Sequence, residues 1–225
     1  MSAWDAVIIG GGHNGLVCGA YLAKAGVKTL VLERRGVLGG AAVTEEVFPG
    51  FRMSVASYVM SLLSPQVIQD LELRRFGLTV LPANDLFSPL ENGDHIFLHD
   101  DVKKTQAEIA RFSKKDAEAY PLFNDYLLDA TRVVRALLYE TPPDVTKRDW
   151  RSVKSMAGLL WRNRTIAGKA YRIVDLMTQS VYDYLSRWFE HDTVKALLGY
   201  YASIGTFAGP KSPATAYVLL HHVMG

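Results

Sequence analysis

The chain has 225 residues, 49% of them apolar, and a formal net charge of +2. That length allows one large domain or two small ones with a substantial core, and the near-neutral balance argues against a dedicated nucleic-acid binder. One cysteine, Cys18, excludes an intramolecular disulfide, and no apolar run reaches the ~18 residues that suggest a bilayer span. The first strand begins almost at Met1, with no basic leader and no signal-like apolar core, so the expected address is the cytoplasm.

The first element sets the frame. Ala6–Ile9 reads as a buried strand running into Gly10-Gly-Gly-His-Asn-Gly15, and an amphipathic helix follows from Leu16 to Ala25. Gly10, Gly12 and Gly15 fit G-x-G-x-x-G at a strand-to-helix turn, the order a dinucleotide site requires. Gly10 permits the sharp turn, Gly12 lets a pyrophosphate approach bare backbone, and Gly15 lets helix and strand pack closely. The helix start supplies free N–H groups and partial positive charge to phosphates. His13 and Asn14 lie inside this turn and read equally as cofactor contacts or as local turn caps. Cys18, in the helix, reads as a small packing residue.

Gly26 closes the helix, and Val27–Leu32 reads as a second buried strand ending at Glu33. An acid roughly twenty residues beyond the glycines is placed to grip a ribose hydroxyl. Gly39-Gly40 then brings bare backbone back, where a second loop would meet the phosphates of FAD; a plain surface loop is the alternative. Phe48-Pro-Gly-Phe51 predicts a turn and Phe51–Met53 a short strand. Ser64-Pro65 starts a helix expected to run to about Phe76. Thr79–Leu81, Phe87–Leu90 and His95–Leu98 read as short strands, the last two joined at Asn92-Gly93.

From Asp100 the pattern is helical. Helices are expected at Val102–Phe112 and Asp116–Tyr139, the second with Phe123, Leu127, Ala130, Val134 and Leu137 on one face and Pro121 as a break in its first turn. After the linker Thr141-Pro-Pro-Asp144, Asp149 caps a helix to about Trp161. Others are expected at Ala167–Thr178, Val181–Glu190, Thr193–Ser203 and Pro213–Met224, with Ser180 and Asp183 as a capping box. Segments 1–60, 61–100 and 101–225 thus read as a dinucleotide-binding segment, substrate-sheet hairpins and a helical cap. Only two parallel strands are evident, so the nucleotide part reads as unfinished, as though chain beyond Gly225 were missing.

Asp5–Gly15, Leu32-Glu-Arg-Arg35, Leu38-Gly-Gly-Ala-Ala-Val-Thr-Glu-Glu46 and Pro49-Gly-Phe51 together resemble the FAD-binding start of the phytoene dehydrogenase-like, or carotenoid/retinoid oxidoreductase, family. Phe112–Ala117 and Tyr217–Gly225 are similar to that group as well. The resemblance implies an α/β protein with a Rossmann-like FAD-binding βαβ start, a short antiparallel hairpin sheet and a mostly helical cap. It implies a flavoprotein acting on an apolar small-molecule substrate. By that resemblance Gly10, Gly12 and Gly15 meet the pyrophosphate, Glu33 the adenosine ribose, and Gly39 and Gly40 lie beside the cofactor; the candidate cofactor-binding set adds His13, Asn14, Arg34, Ala41 and Ala42. Val37 and Ala41 stand where related flavin oxidases often carry arginine. Ser54 and Ala56 stand where carotene desaturases carry Asp and Gly, which argues against carotenoid desaturation itself. An NAD-dependent dehydrogenase and a non-catalytic truncated or binding protein remain the alternatives.

Lys147–Arg172 holds eight basic residues against one acid, Asp149, with Trp150, Leu159, Leu160 and Trp161 interleaved. It reads as a patch for anionic lipid, making the protein peripheral to a membrane, or as a solvated basic face. No nucleic-acid motif accompanies it. His221-His222 lacks further ligands and points to different helix faces, so no metal site is expected. Ser54, Ser57, Tyr58 and Ser61 lie near the expected flavin, yet no Ser-His-Asp set and no catalytic acid or base emerges; the electron acceptor is unspecified.

Overall fold

The computed structural model describes residues 3–57, 59–60, 62–82, 85–138, 140–142, 144, 146, 149–162, 164, 168–169 and 171–224. The chain divides into two compact units, Met1–Ala83 and Asn84–Gly225. The fold is a Rossmann-like βαβ start, short antiparallel hairpins and a helical remainder.

In the first unit, β1 (Ala6–Ile9) and β2 (Thr29–Leu32) pair in parallel, from Ala6 opposite Thr29 to Ile9 opposite Leu32. The crossover between them is α1 (His13–Lys24). It lies against one face of the pair, where a Cβ added at Gly19 would meet Val31 Cγ2 at 3.1 Å and Ile8 Cδ1 at 3.4 Å. Gly19, not Cys18, makes this contact; Cys18 is exposed, against the packing role expected for it. On the other face Val7 and Ile9 remain 54% and 90% exposed.

The antiparallel hairpin β3 (Thr44–Phe48) and β4 (Phe51–Ser54) follows. Then α2 (Pro65–Asp70) is capped by Ser64 Oγ, which accepts from the Gln66 amide. This helix stops well before Phe76. Glu72 takes φ +51, and the Leu73 and Glu72 amides fold back onto the carbonyls of Ile68 and Gln69, a terminating motif usually built on glycine. The Tyr21 hydroxyl donates to Asp70 at 2.8 Å, and Lys24 donates to the Asp70 carbonyl, tying α2 to α1. Thr79–Leu81 is not a strand, and it pairs with none among the described residues.

The second unit holds the core. A hairpin of β5 (Leu86–Pro89) and β6 (His95–Leu98) turns at Asn92-Gly93, where Asn92 Oδ1 accepts from the Asp94 amide. Asp101 caps α3 (Val102–Ala110) and Ser113 caps α4 (Lys114–Leu137). Because Ser113 starts α4 early, Pro121 falls beyond the first turn, and the helix runs through it. An interior proline costs about 3 kcal/mol; burial of Ala117, Tyr120, Phe123, Leu127 and Ala130 along α4 offsets it. Val134 and Leu137, expected on this face, are only partly covered; Val133 is buried instead.

Asp149 Oδ1 accepts from the Ser152 amide at the start of α5 (Trp150–Arg162). Helix Tyr171–Thr178 follows; the expected start at Ala167 lies outside the described residues. Helix Val181–Ser186 is shorter than expected. The Glu190 and His191 amides donate to the buried Asp116 carboxylate, each at 2.9 Å, instead of continuing it. Ser180 caps this helix, but Asp183 accepts from the Ser180 hydroxyl rather than from the cap backbone. Helix Asp192–Gly199 runs into a 3-10 turn, Tyr200–Ser203. No single helix covers Pro213–Met224: Ala214 sits at φ +66, and a 3-10 turn, Thr215–Val218, precedes the short helix Leu219–Val223. Thr215 Oγ1 pins that start by accepting from the Val181 amide at 2.8 Å.

Candidate dinucleotide-binding site

The glycine turn is clamped from both sides. The Gly10 amide donates to the Leu32 carbonyl at 2.7 Å, and the Gly39 amide donates to the Gly11 carbonyl at 2.8 Å. A parallel bridge joins Gly12 to Gly39. The loop after β2 therefore folds back onto the turn, and the two glycine clusters meet as backbone. A Cβ at Gly40 would fall 2.9 Å from Gly12 Cα, and one at Gly15 would fall 2.1 Å from the Gly10 carbonyl oxygen. Any side chain at either position forces the backbones apart.

Gly12 is the N-cap of α1 and provides no side-chain cap. The amides of that first turn are thus left for an external acceptor, and the helix dipole favours an anion there. A Cβ at Gly12 would meet nothing nearer than Gly40 Cα at 3.8 Å. The turn is therefore tight at Gly15 and open at Gly12.

Glu33 ties the turn to the end of β2. Its Oε2 accepts from the Gly11 amide at 2.7 Å and its Oε1 from the Arg35 amide at 2.9 Å. These backbone bonds, the one from Arg35 foremost, hold its carboxyl below the usual glutamate range. The group stays ionised, and each oxygen keeps a lone pair beyond the amide it holds. A ribose hydroxyl could donate to those remaining positions.

His13, Asn14 and Arg34 are exposed around the turn, and Ala41 and Ala42 are exposed in the 3-10 turn Gly40–Ala42. The sequence reading missed Gly11. It is buried under Leu38, whose Cδ2 would lie 2.6 Å from a Cβ there. It also missed Arg35, whose guanidinium binds Glu45 at 2.5 Å and fixes the second loop to β3. Three consecutive glycines were the signal for the first; nothing local signalled the second. Ser54 and Ser57 bond to each other in a local turn, and Tyr58 and Ser61 lie outside the described residues.

The basic segment is partly neutralised. Arg162 forms a two-point pair with Glu140, while Lys169 and Arg172 both bind Asp129. Lys147 and Arg148 lie outside the described residues. Trp150 and Trp161 on α5 are 76% and 70% exposed. Among the described residues, no helix is long and apolar enough to cross a membrane and no cluster of metal-ligating side chains occurs.

Residues 8–72 match the NAD(P)-binding Rossmann-like domain family. Over 99% of its length the chain is 41% identical to pyridine nucleotide-disulfide oxidoreductase domain-containing protein 2 of Rattus norvegicus. It is a homologue of that protein. The chain spans 41% of that relative's length. Carotenoid 3,4-desaturase of Haloarcula japonica is a more distant relative, 28% identical over 99% of the chain and 43% of the relative. A solved variant of putrescine oxidase superposes with a TM-score of 0.51 at 18% identity, covering 99% of this chain and 44% of that one, a likeness of fold.

Proposed function

We propose that this chain provides the adenosine- and pyrophosphate-binding start and a helical substrate wall of an FAD-dependent oxidoreductase acting on an apolar substrate. The observation that carries the reading is the return of Gly39-Gly40 onto the Gly10–Gly15 turn. A nicotinamide site needs one glycine turn and an acid. Here a second bare-backbone loop closes on the first, and the chain then continues into the β3–β4 hairpin rather than a third parallel strand. Homology to an oxidoreductase-domain protein and fold likeness to putrescine oxidase support the same reading.

In that site Gly12 and the first turn of α1 would hold the diphosphate. Glu33, ionised and already braced by two amides, would orient the ribose. Gly39 and Gly40 would lie along the cofactor, and no protein acid or base is assigned to the reaction. Bound flavin supplies a hydride acceptor at N5, with oxygen or a quinone as the terminal acceptor. Purified protein mixed with FAD and desalted should retain flavin absorbance, and FAD should raise the melting temperature more than NAD does. A colourless protein stabilised by NAD alone would replace this reading with a nicotinamide dehydrogenase.

We further propose that α5 docks peripherally on anionic lipid. Trp150, Val153, Ala157 and Trp161 share one helix face, the two tryptophans and Val153 are largely exposed, and Arg151 and Lys154 flank them.

A further inference from the structure

The second unit contains a cavity of about 390 Å³ that the flavin reading does not use. Its apolar wall is formed by Val181, Leu185, Ala196, Ala202, Ala208 and Pro210, from helices Val181–Ser186 and Asp192–Gly199 and the segment after them. A volume of this size, largely apolar with few polar groups, is typical of a small-molecule site.

The polar side chains that line it are Tyr182, Asp192, Lys195 and Ser203. Lys195 Nζ lies 5.7 Å from the centre of the Tyr182 ring, and Lys211 Nζ lies 4.7 Å from the same ring. Two ammonium groups therefore flank one aromatic side chain at an apolar hole. The Lys195 side chain is only 16% exposed, so its stem runs along the wall and its charge is held at the edge. Its present partner, Asp192, pairs at 2.8 Å but is 94% exposed. A solvent-screened pair of that kind is weak, and Asp192 is free to swing into water when another anion arrives.

We propose that this cavity binds a free single-chain amphiphile bearing a carboxylate, with the hydrocarbon inside and the head group between Lys195 and Lys211. The site is built entirely within the second unit and does not depend on flavin binding.

Calorimetric titration of the whole chain without FAD tests this, with dodecanoate, dodecanol and dodecyltrimethylammonium as probes below their micellar concentrations. Dodecanoate should bind at least tenfold more tightly than dodecanol, and the cationic probe should not bind. Lys195→Gln combined with Lys211→Gln should bring dodecanoate down to the dodecanol value. Ala208→Trp, at an exposed position on the cavity edge, should weaken both by tenfold or more with an unchanged melting temperature. Should Ala208→Trp fail to fold, Lys211→Gln alone, a surface change, should still lower the preference for dodecanoate. Equal affinity for acid and alcohol would overturn the proposal. So would unchanged dodecanoate binding in a folded Ala208→Trp protein, or binding to phosphatidylglycerol vesicles with none to monomeric dodecanoate. A chain that fails to bind FAD leaves every arm of this experiment intact.

Discussion

Gly12→Ala and Gly15→Ala separate the proposed cofactor role of the glycine turn from its packing role. At Gly12 the backbone lies at φ −74, ψ 172, which alanine adopts freely, and the nearest atom to the new Cβ is 3.8 Å away. The cost to folding is the difference between glycine and alanine at an N-cap, about 0.5–1 kcal/mol. The methyl nevertheless occupies the space above the first turn of α1, where a diphosphate would sit. Loss of that close approach should raise the Kd for FAD at least tenfold, about 1.4 kcal/mol. Gly15→Ala does the reverse. Its Cβ would start 2.1 Å from the Gly10 carbonyl oxygen, against a practical minimum of 3.0 Å. The helix must move outward; with the contact so far below that minimum the overpacking cost lies near the upper end of about 1–3 kcal/mol, a net loss of about 2 kcal/mol after the ~1 kcal/mol helix-propensity gain of alanine over glycine. Urea unfolding and FAD fluorescence titration on both variants read the two quantities. A Gly12→Ala protein that binds FAD like the wild type would refute the reasoning, as would one that loses as much stability as Gly15→Ala.

Glu33 adds a pH signature. Its folded-state pKa lies below the usual value, so its contribution is present at neutral pH and is lost as pH falls below about 4.5 through the depressed folded value. FAD affinity should drop in that acid range, and Glu33→Gln should flatten the drop while weakening binding at pH 7. Asp116→Ala leaves the Glu190 and His191 amides without their acceptor in a buried setting. It should cost about 3 kcal/mol in urea unfolding, given 1–3 kcal/mol for each unsatisfied group; a change under ~0.5 kcal/mol would contradict the role assigned to it. Trp150→Ala with Trp161→Ala should abolish flotation with phosphatidylglycerol vesicles, and phosphatidylcholine vesicles should recruit neither protein. FAD at a hundredfold excess over its Kd should slow hydrogen exchange in α1 and β2, since binding at that level adds about 2.7 kcal/mol to the folded state.

What was legible in the sequence was whatever is decided within a few residues. Gly10, Gly12 and Gly15 stand out because the turn, the bare approach and the close packing are each local demands on one residue. Ser113 and Asp149 cap helices through bonds spanning three residues. The misreadings arose where distant chain decides. The Val181–Ser186 helix ends because the amides of Glu190 and His191 reach back to Asp116, 74 and 75 residues earlier. Gly11 is constrained by Leu38 and Glu33, distant in sequence, so the glycine run marked the position without showing what packs on it. The basic run at Lys147–Arg172 looked uniformly cationic because Asp129 and Glu140, which pair with three of its members, lie outside it in sequence.

The distribution of burial gives the site its physical logic. Among the described residues, Val43 is the one buried large apolar side chain in Met1–Ala83, whereas the second unit packs its core around α4. A two-stranded sheet with Val7, Ile9 and Leu32 open on one face is marginal by itself. What holds the turn in place is instead a set of polar backbone ties: Gly10 to Leu32, Gly11 to Glu33, Gly39 to Gly11. Hydrogen bonds of this kind contribute about 1 kcal/mol each, too little to replace a core but enough to fix geometry. Among its described residues, the first unit buries little apolar surface of its own. A ligand of the proposed kind, bridging both glycine clusters, would therefore contribute to folding as well.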